Sequence, residues 1–204
     1  MKTISEYIRT LTESENEDWM QELADYIGCD VSDIGETDNS YPFECKTFYF
    51  KYTEYVVFEN TEELNNAIYE LAKRIVTDKH NSPLYGCNPD AEDYNQMLSS
   101  EFVENFAQSV IDDPYFEEES YGNFTAEELK ERIEGNLYEY AMNFMFADDD
   151  KFIDWLCDEN ALDVEKAAKW CVKHADYYVF QCCGGGDVKE LSDGKYVCKG
   201  DFRF

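Results

Sequence analysis

Histidine, proline and basic residues are scarce in this chain. Only 2 of the 204 residues are His and 4 are Pro. A catalytic or metal site that needs several imidazole side chains is therefore disfavoured. Lys and Arg number 17 against 46 Asp and Glu, which gives a net charge of −29 at pH 7. A surface this negative repels phosphate. Direct binding of nucleic acid or of an anionic membrane is therefore disfavoured, and the partners that it fits are basic.

Long apolar runs are also missing. No apolar stretch approaches the roughly 20 residues of a membrane span, and the N-terminal stretch has no apolar core of about 7 to 15 residues as a signal peptide would. We therefore expect a cytoplasmic protein that does not bind membranes. The 8 cysteines include no CxxC pair, and in that compartment they are expected to be reduced thiols.

Aromatic residues, in contrast, are abundant, and the charge is unevenly spread. The chain has 16 Tyr, 14 Phe and 3 Trp, whereas disordered acidic chains are poor in aromatics, so the acidity belongs to a folded surface. Residues 1–160 hold 39 acidic and 10 basic side chains, while residues 161–204 hold 7 of each. We divide the chain into an acidic, mainly helical region over 1–160 and a neutral region over 161–204, and expect both to belong to one compact domain.

The residue patterns predict an α+β fold that is mostly helical. β-branched and aromatic residues over 46–59 predict a β-hairpin, and three further strands, over 177–182, 188–191 and 195–199, predict a small antiparallel sheet at the C-terminus. Capping boxes at residues 14–17 and 125–128, and single caps at Asp148 and Asp163, mark helix starts. The second box opens a helix that we expect to extend to about residue 147, with Gly135 weakening its middle.

Candidates for catalysis or metal binding are weak. His174 with Cys182 or Cys183 could form a thiol–imidazole pair, but the sequence does not show the geometry that such a pair needs. The same residues with Cys198 lack the paired spacing of zinc ligands. Glycines 184–186 are not followed by the Lys and Ser or Thr of a phosphate loop. We therefore predict no catalytic residue, no metal, no cofactor and no enzymatic activity.

The recurring signal is a set of carboxylates at helical spacing. On the helix that begins near residue 126, acidic residues fall away from the apolar stripe of Leu129, Ile133 and Leu137, and the first helix repeats this bias. We predict that a set of exposed acidic side chains binds a partner. Its members are Glu15, Glu17, Asp18, Glu22, Asp112, Asp113, Glu117, Glu118, Glu119, Glu127, Glu128, Glu131, Glu134, Asp148, Asp149 and Asp150.

In size, charge, helix-borne carboxylates, aromatic content and scarcity of His, the chain resembles the small acidic DNA-mimic inhibitors of phages and mobile elements, the anti-CRISPR and anti-restriction proteins. This resemblance implies a stoichiometric inhibitor that occupies the basic nucleic-acid-binding channel of a host nuclease or CRISPR effector. The alternative is a non-enzymatic interaction module, such as an antitoxin or an adaptor for a basic protein. In an inhibitor, we expect the neutral C-terminal region to complete the fold, supply specificity or form a homodimer.

Overall fold

The computed structural model describes residues 18–117, 124–182 and 188–204. Within these residues the chain forms two compact units. The first contains the described residues up to Ala67 together with Asp176–Phe204, and the second contains Ile68–Ala175. The boundaries of these units differ from the predicted change in charge at residue 160. That change concerns the surface charge and stays a prediction.

The first unit is built around an antiparallel sheet. Its strands, among the described residues, are β1 (Gly35–Thr37), β2 (Cys45–Phe50), β3 (Thr53–Glu59), β4 (Lys189–Glu190) and β5 (Lys195–Lys199), in the order β1-β2-β3-β5-β4. The predicted hairpin is confirmed, because β2 and β3 pair from Cys45 with Phe58 to Phe50 with Thr53. The C-terminal strands do not form a sheet of their own. β5 pairs with β3 and extends the hairpin.

One amphipathic helix packs on this sheet. Helix α1 (Asp18–Ile27) presents Trp19 and Leu23, one turn apart, to the sheet residues Phe48, Val57 and Val197. Gly28 ends the helix with a φ of +79°, a conformation that suits glycine. The capping box predicted at residues 14–17 lies outside the described residues.

The strand predicted over 177–182 is wrong. Tyr177–Phe180 is a short 3-10 helix, in which the Val179 N–H donates to the carbonyl of Asp176 (3.0 Å). The turn buries the successive side chains of Val179 and Phe180, whereas a strand would point them to opposite faces. Packing therefore overrides the β propensity of this aromatic segment.

The second unit is helical. Its helices are the end of α2 (Glu62–Ile75), α3 (Leu84–Cys87), α4 (Ala91–Met97), α5 (Ser100–Ile111), α6 (Ala126–Gly135), α7 (Leu137–Phe144), α8 (Asp149–Asp158) and α9 (Val164–His174). The single helix expected to extend from 126 to about 147 is two helices. Asn136, with φ −158° and ψ 78°, breaks it after Gly135 and caps α7 by accepting from the Glu139 N–H (3.0 Å).

Candidate acidic interface

Helices α5 and α6 pack against each other and carry six exposed carboxylates, of which Glu128 belongs to a capping box and the other five are considered together. On α6 the inward positions Leu129 and Ile133 are fully buried, and Glu127, Glu131 and Glu134 lie away from them and are exposed. Glu104 of α5 and Glu134 of α6 line one cleft of about 240 Å³. We call this set the acidic face. It consists of Glu101, Glu104, Glu127, Glu131 and Glu134.

Two members of the acidic face were not predicted from the sequence. Glu101 and Glu104 lie on α5, where the apolar residues from Phe102 to Ile111 predicted only which side of the helix is buried. Their spacing of three residues was the available signal. Only the packing of α5 on α6 makes Glu104 a neighbour of Glu134.

One lysine bridges the two helices beside this cleft. The Lys130 ammonium donates to Gln108 Oε1 on α5 (3.0 Å) and lies 3.8 Å from Glu134 Oε1, one turn along α6. It offsets one charge of the acidic face. Glu127 and Glu131 remain exposed on the same helix.

Two of the predicted residues are helix caps. Glu128 accepts from the backbone N–H of Thr125 (2.9 Å) while the Thr125 hydroxyl accepts from the Glu128 N–H (3.2 Å), which confirms the capping box. The Thr125 hydroxyl also donates to the Glu128 carboxylate (3.0 Å), and the two bonds that this carboxylate accepts from Thr125 lower the pKa of Glu128 below its ordinary value of 4.5. Asp148 accepts from the Lys151 N–H at the start of α8 (3.0 Å). Both side chains are exposed, so they also add to the surface charge.

Further predicted residues make local contacts in the second unit. Asp149 accepts a hydrogen bond from the Tyr138 hydroxyl (2.8 Å). Partial burial, and to a smaller extent this hydrogen bond, raises the pKa of Tyr138 to about 12. Asp112 accepts from the Gln108 amide (3.0 Å), and Asp113 accepts from the Tyr115 N–H (2.8 Å). Glu117 and Asp150 are exposed.

Among the remaining predicted residues, the structure gives a role to Glu22 alone. Glu22, on α1 of the first unit, is half-buried and accepts from the Ser192 N–H (2.7 Å), which makes it part of the fold of that unit. Asp18 begins α1, but its side chain is not described. Glu15, Glu17, Glu118 and Glu119 lie outside the described residues. The packed group of carboxylates is therefore the one on α5 and α6.

The weaker chemical candidates gain no support from the described residues. The imidazole of His174 stacks on the Trp170 indole, with centroids 4.5 Å apart and an 8° angle between the rings. Burial raises the pKa of the Cys45 and Cys157 thiols to about 11 and that of Cys198 to about 12, whereas a nucleophilic thiol needs a lowered pKa. Cys183 and glycines 184–186 lie outside the described residues.

The described part of the chain offers neither a clustered metal site nor a membrane-spanning helix. It contains no group of three or more His, Cys, Asp or Glu side chains placed to hold a metal ion. It also contains no helix that is both long enough and apolar enough to cross a membrane.

Comparison with known proteins finds no match to this chain among protein families, curated proteins or solved structures. The charge and geometry of the acidic face are therefore the basis on which a function is assigned.

Proposed function

We propose that the protein is a stoichiometric inhibitor that mimics nucleic acid and occupies the basic channel of a host defence nuclease, either a CRISPR effector or a restriction complex. It acts in the bacterial cytoplasm and has no enzymatic turnover. The observation that carries the proposal is the acidic face, where carboxylates from two packed helices are displayed at regular spacing on a rigid surface.

The spacing of these carboxylates is comparable to that of phosphates. With a rise of about 1.5 Å per residue, Glu127 and Glu131 are separated by about 6 Å along the axis of α6, and Glu131 and Glu134 by about 4.5 Å. Phosphates follow one strand of B-DNA at about 3.4 Å per step. Arg and Lys side chains that pair with phosphates along a channel also pair with carboxylates.

The charge balance of the second unit supports the same proposal. Residues 68–175 contain 25 acidic and 9 basic side chains, a net charge of −16. Several of the basic side chains are paired within the unit, as in Lys73 with Glu165 (3.0 Å), Lys79 with Asp158 (2.5 Å) and Lys166 with Asp163 (3.1 Å). Most carboxylates are therefore in excess over the cations and can pair with the cations of a partner.

The test is capture of nucleic-acid-binding proteins from a bacterial lysate by the immobilised protein at about 0.1 M salt, where the screening length is roughly 10 Å. We expect a nuclease or guide-RNA effector to be retained and to be released by an excess of duplex DNA or RNA. The double variant Glu127→Lys/Glu131→Lys should lose this capture, because it reverses the charge at the centre of the acidic face.

A matched control separates position from net charge. Glu36 and Asp38 are exposed and lie at β1, in the first unit. The variant Glu36→Lys/Asp38→Lys changes the net charge by the same amount and should capture the nuclease as the unchanged protein does. Equal capture by both variants, or capture that nucleic acid does not displace, would contradict the mimic.

The second candidate, an antitoxin or adaptor that binds one basic protein, is favoured by a different feature of the second unit. Several of its aromatic rings are incompletely buried, and nucleic-acid mimicry by carboxylates does not need them. Capture of a small basic protein that nucleic acid does not displace would support this candidate.

A further inference from the structure

Five aromatic side chains form a continuous, incompletely buried surface on the second unit. Trp155 of α8 lies with its ring centroid 5.4 Å from Phe102, 5.3 Å from Phe106 and 5.4 Å from Phe146. Phe144 joins this surface through the chain neighbours Met145 and Phe146, and the buried Tyr140 lies with its ring centroid 6.1 Å from Phe106 and 5.1 Å from Phe144. We call this surface the aromatic patch. It consists of Phe102, Phe106, Phe144, Phe146 and Trp155.

The fold of this unit can bury aromatic rings completely, yet it does not bury these. Tyr94 is 1% exposed and Phe152 is 0% exposed. Phe102, Phe106, Phe146 and Trp155 are only half-buried, and Phe144 is 50% exposed. The neighbouring Met145 is 43% exposed. A contiguous apolar surface of this kind marks an interaction site in a water-exposed protein.

The helices that carry the rings also carry exposed carboxylates. On α5, Glu101 precedes Phe102, and Asp112 follows the last helical residue. Asp149 and Asp150 open α8, and Glu159 ends it. The only basic residue on these two helices is Lys151, whose ammonium lies 3.6 Å from Asp148 Oδ2. We call these carboxylates, which flank the rings in the sequence of the two helices, the negative rim, and apolar rings with such flanking charges fit a partner segment that is both apolar and cationic.

We propose that the aromatic patch binds an arginine-bearing segment of the basic partner. The planar guanidinium stacks on aromatic rings and also forms paired hydrogen bonds with carboxylates, so one side chain can use both features of this surface. An ammonium group is more strongly hydrated and does not offer the paired geometry. The inference rests on the proposed function in one respect, the basic character of the partner.

Other occupants fit less well. A second copy of this chain would bring an identical negative rim against the first, and like charges at such a contact are repulsive. A purely apolar segment would remove water from the rim carboxylates without offering them a partner, which is costly. Charge complementarity therefore selects the cationic segment.

The test uses two synthetic amphipathic helical peptides of about 18 residues, one with Leu on one face and Arg on the other, and one with Lys in place of Arg. Calorimetric titration at about 0.15 M salt measures the affinity of the full chain for each. We expect the Arg peptide to bind about 5-fold more tightly than the Lys peptide, because a guanidinium stacks flat on a ring and pairs bidentately with a carboxylate, whereas an ammonium group is more strongly hydrated and has no such geometry.

The variant Phe144→Ser/Met145→Ser removes the two most exposed side chains of this surface. We expect it to bind the Arg peptide about 10-fold more weakly and to lose the preference for Arg over Lys. The matched control is Tyr115→Ser, which removes an aromatic ring that is 88% exposed and is not part of the aromatic patch. It should keep the affinity and the preference of the unchanged protein.

The outcomes separate this inference from the proposed function. If the Phe144→Ser/Met145→Ser variant, the Ser variant below, keeps both the affinity for the Arg peptide and the preference for Arg over Lys, the aromatic patch is not the binding site. This holds even where nuclease capture still depends on Glu127 and Glu131. If the Ser variant loses the preference while the Glu127→Lys/Glu131→Lys variant still captures nucleases, the inference is supported and the mimic is not. A dimer in sedimentation that becomes a monomer in the Ser variant would show that a second copy covers this surface and would overturn the inference.

Discussion

At the scale of single residues, the carboxylates of this chain perform different tasks although they look alike in the sequence. Glu128 closes a capping box, Glu22 holds a turn, and Glu131 is simply exposed. A substitution at each position therefore tests a different property. The first two affect folding, and only the third reports on a partner.

The capping role of Glu128 predicts a pH-dependent contribution to stability. Its pKa is lowered in the folded protein by the Thr125 hydrogen bonds, so its contribution is complete above the ordinary value of 4.5 and is lost as the pH falls through the folded pKa. We expect Glu128→Ala to lower the free energy of unfolding at pH 7, and the difference from the unchanged protein to shrink below about pH 4. Urea unfolding at several pH values measures it. Glu131→Ala, one turn along, is the control, because it removes an exposed Glu of the same helix that belongs to no capping box.

Substitution of Glu22 is expected to reduce the stability of the fold and not the binding of a partner. Its half-buried carboxylate accepts the Ser192 N–H at 2.7 Å, and removing it leaves that donor without its charged acceptor. We expect Glu22→Ala to reduce the free energy of unfolding by about 1 to 2 kcal/mol. Glu22→Gln keeps an acceptor oxygen and should recover most of the loss. Equal effects of the two variants would show that the hydrogen bond is not what Glu22 contributes.

At the scale of elements, local patterns predicted what local contacts determine. The hairpin of β2 and β3 and the caps at Thr125, Asp148 and Asp163 were predicted, because each depends on residues within a few positions. The union of β5 with β3 was not predicted, since it joins residues about 140 apart through side-chain packing that no local pattern encodes. β1 was missed because its three residues are all exposed.

The candidate site follows the same rule. The spacing of Glu127, Glu131 and Glu134 on one helix predicted their shared face, because helical periodicity is local. Glu101 and Glu104 join them only through the packing of α5 on α6. The aromatic patch was not predicted either. A Phe or Trp that is half-buried cannot be distinguished in the sequence from one that is fully buried, because the degree of burial depends on the completed fold.

Two glycines at helix ends predict opposite responses to the same substitution. A Cβ placed on Gly28 or on Gly135 meets no atom within 4 Å, so steric clash with neighbours plays no part at either position. Gly28 has a φ of +79°, which an L-residue adopts at a cost of about 1 kcal/mol. Gly135 is the last residue of α6 and its φ is not positive.

We therefore expect Gly28→Ala to lower the free energy of unfolding by about 1 kcal/mol and Gly135→Ala to raise it by about 0.5 to 1 kcal/mol. Chemical denaturation of both variants under identical conditions measures the two changes. A gain in stability from Gly28→Ala would show that the backbone at the end of α1 does not need glycine.

At the scale of the whole molecule, the net charge of −29 acts on folding and on binding with opposite signs. Within the folded chain the excess carboxylates repel one another, which lowers the free energy of unfolding. Toward a basic partner the same carboxylates attract. Salt screens both effects, since the screening length falls from roughly 30 Å at 0.01 M to about 3 Å at 1 M.

Raising the NaCl concentration from about 0.02 to about 0.5 M should therefore stabilise the protein and weaken its complex with a basic partner. Urea unfolding measures the first change, and calorimetric titration with the Arg peptide measures the second. Near pH 4, where many carboxylates bind protons, the stabilisation by salt should be smaller, because less repulsion remains to be screened. If salt changed neither property at pH 7, the excess charge would have no energetic role in folding or recognition. If salt stabilised the fold without weakening the complex, partner binding would have to depend on the aromatic patch and not on the acidic face.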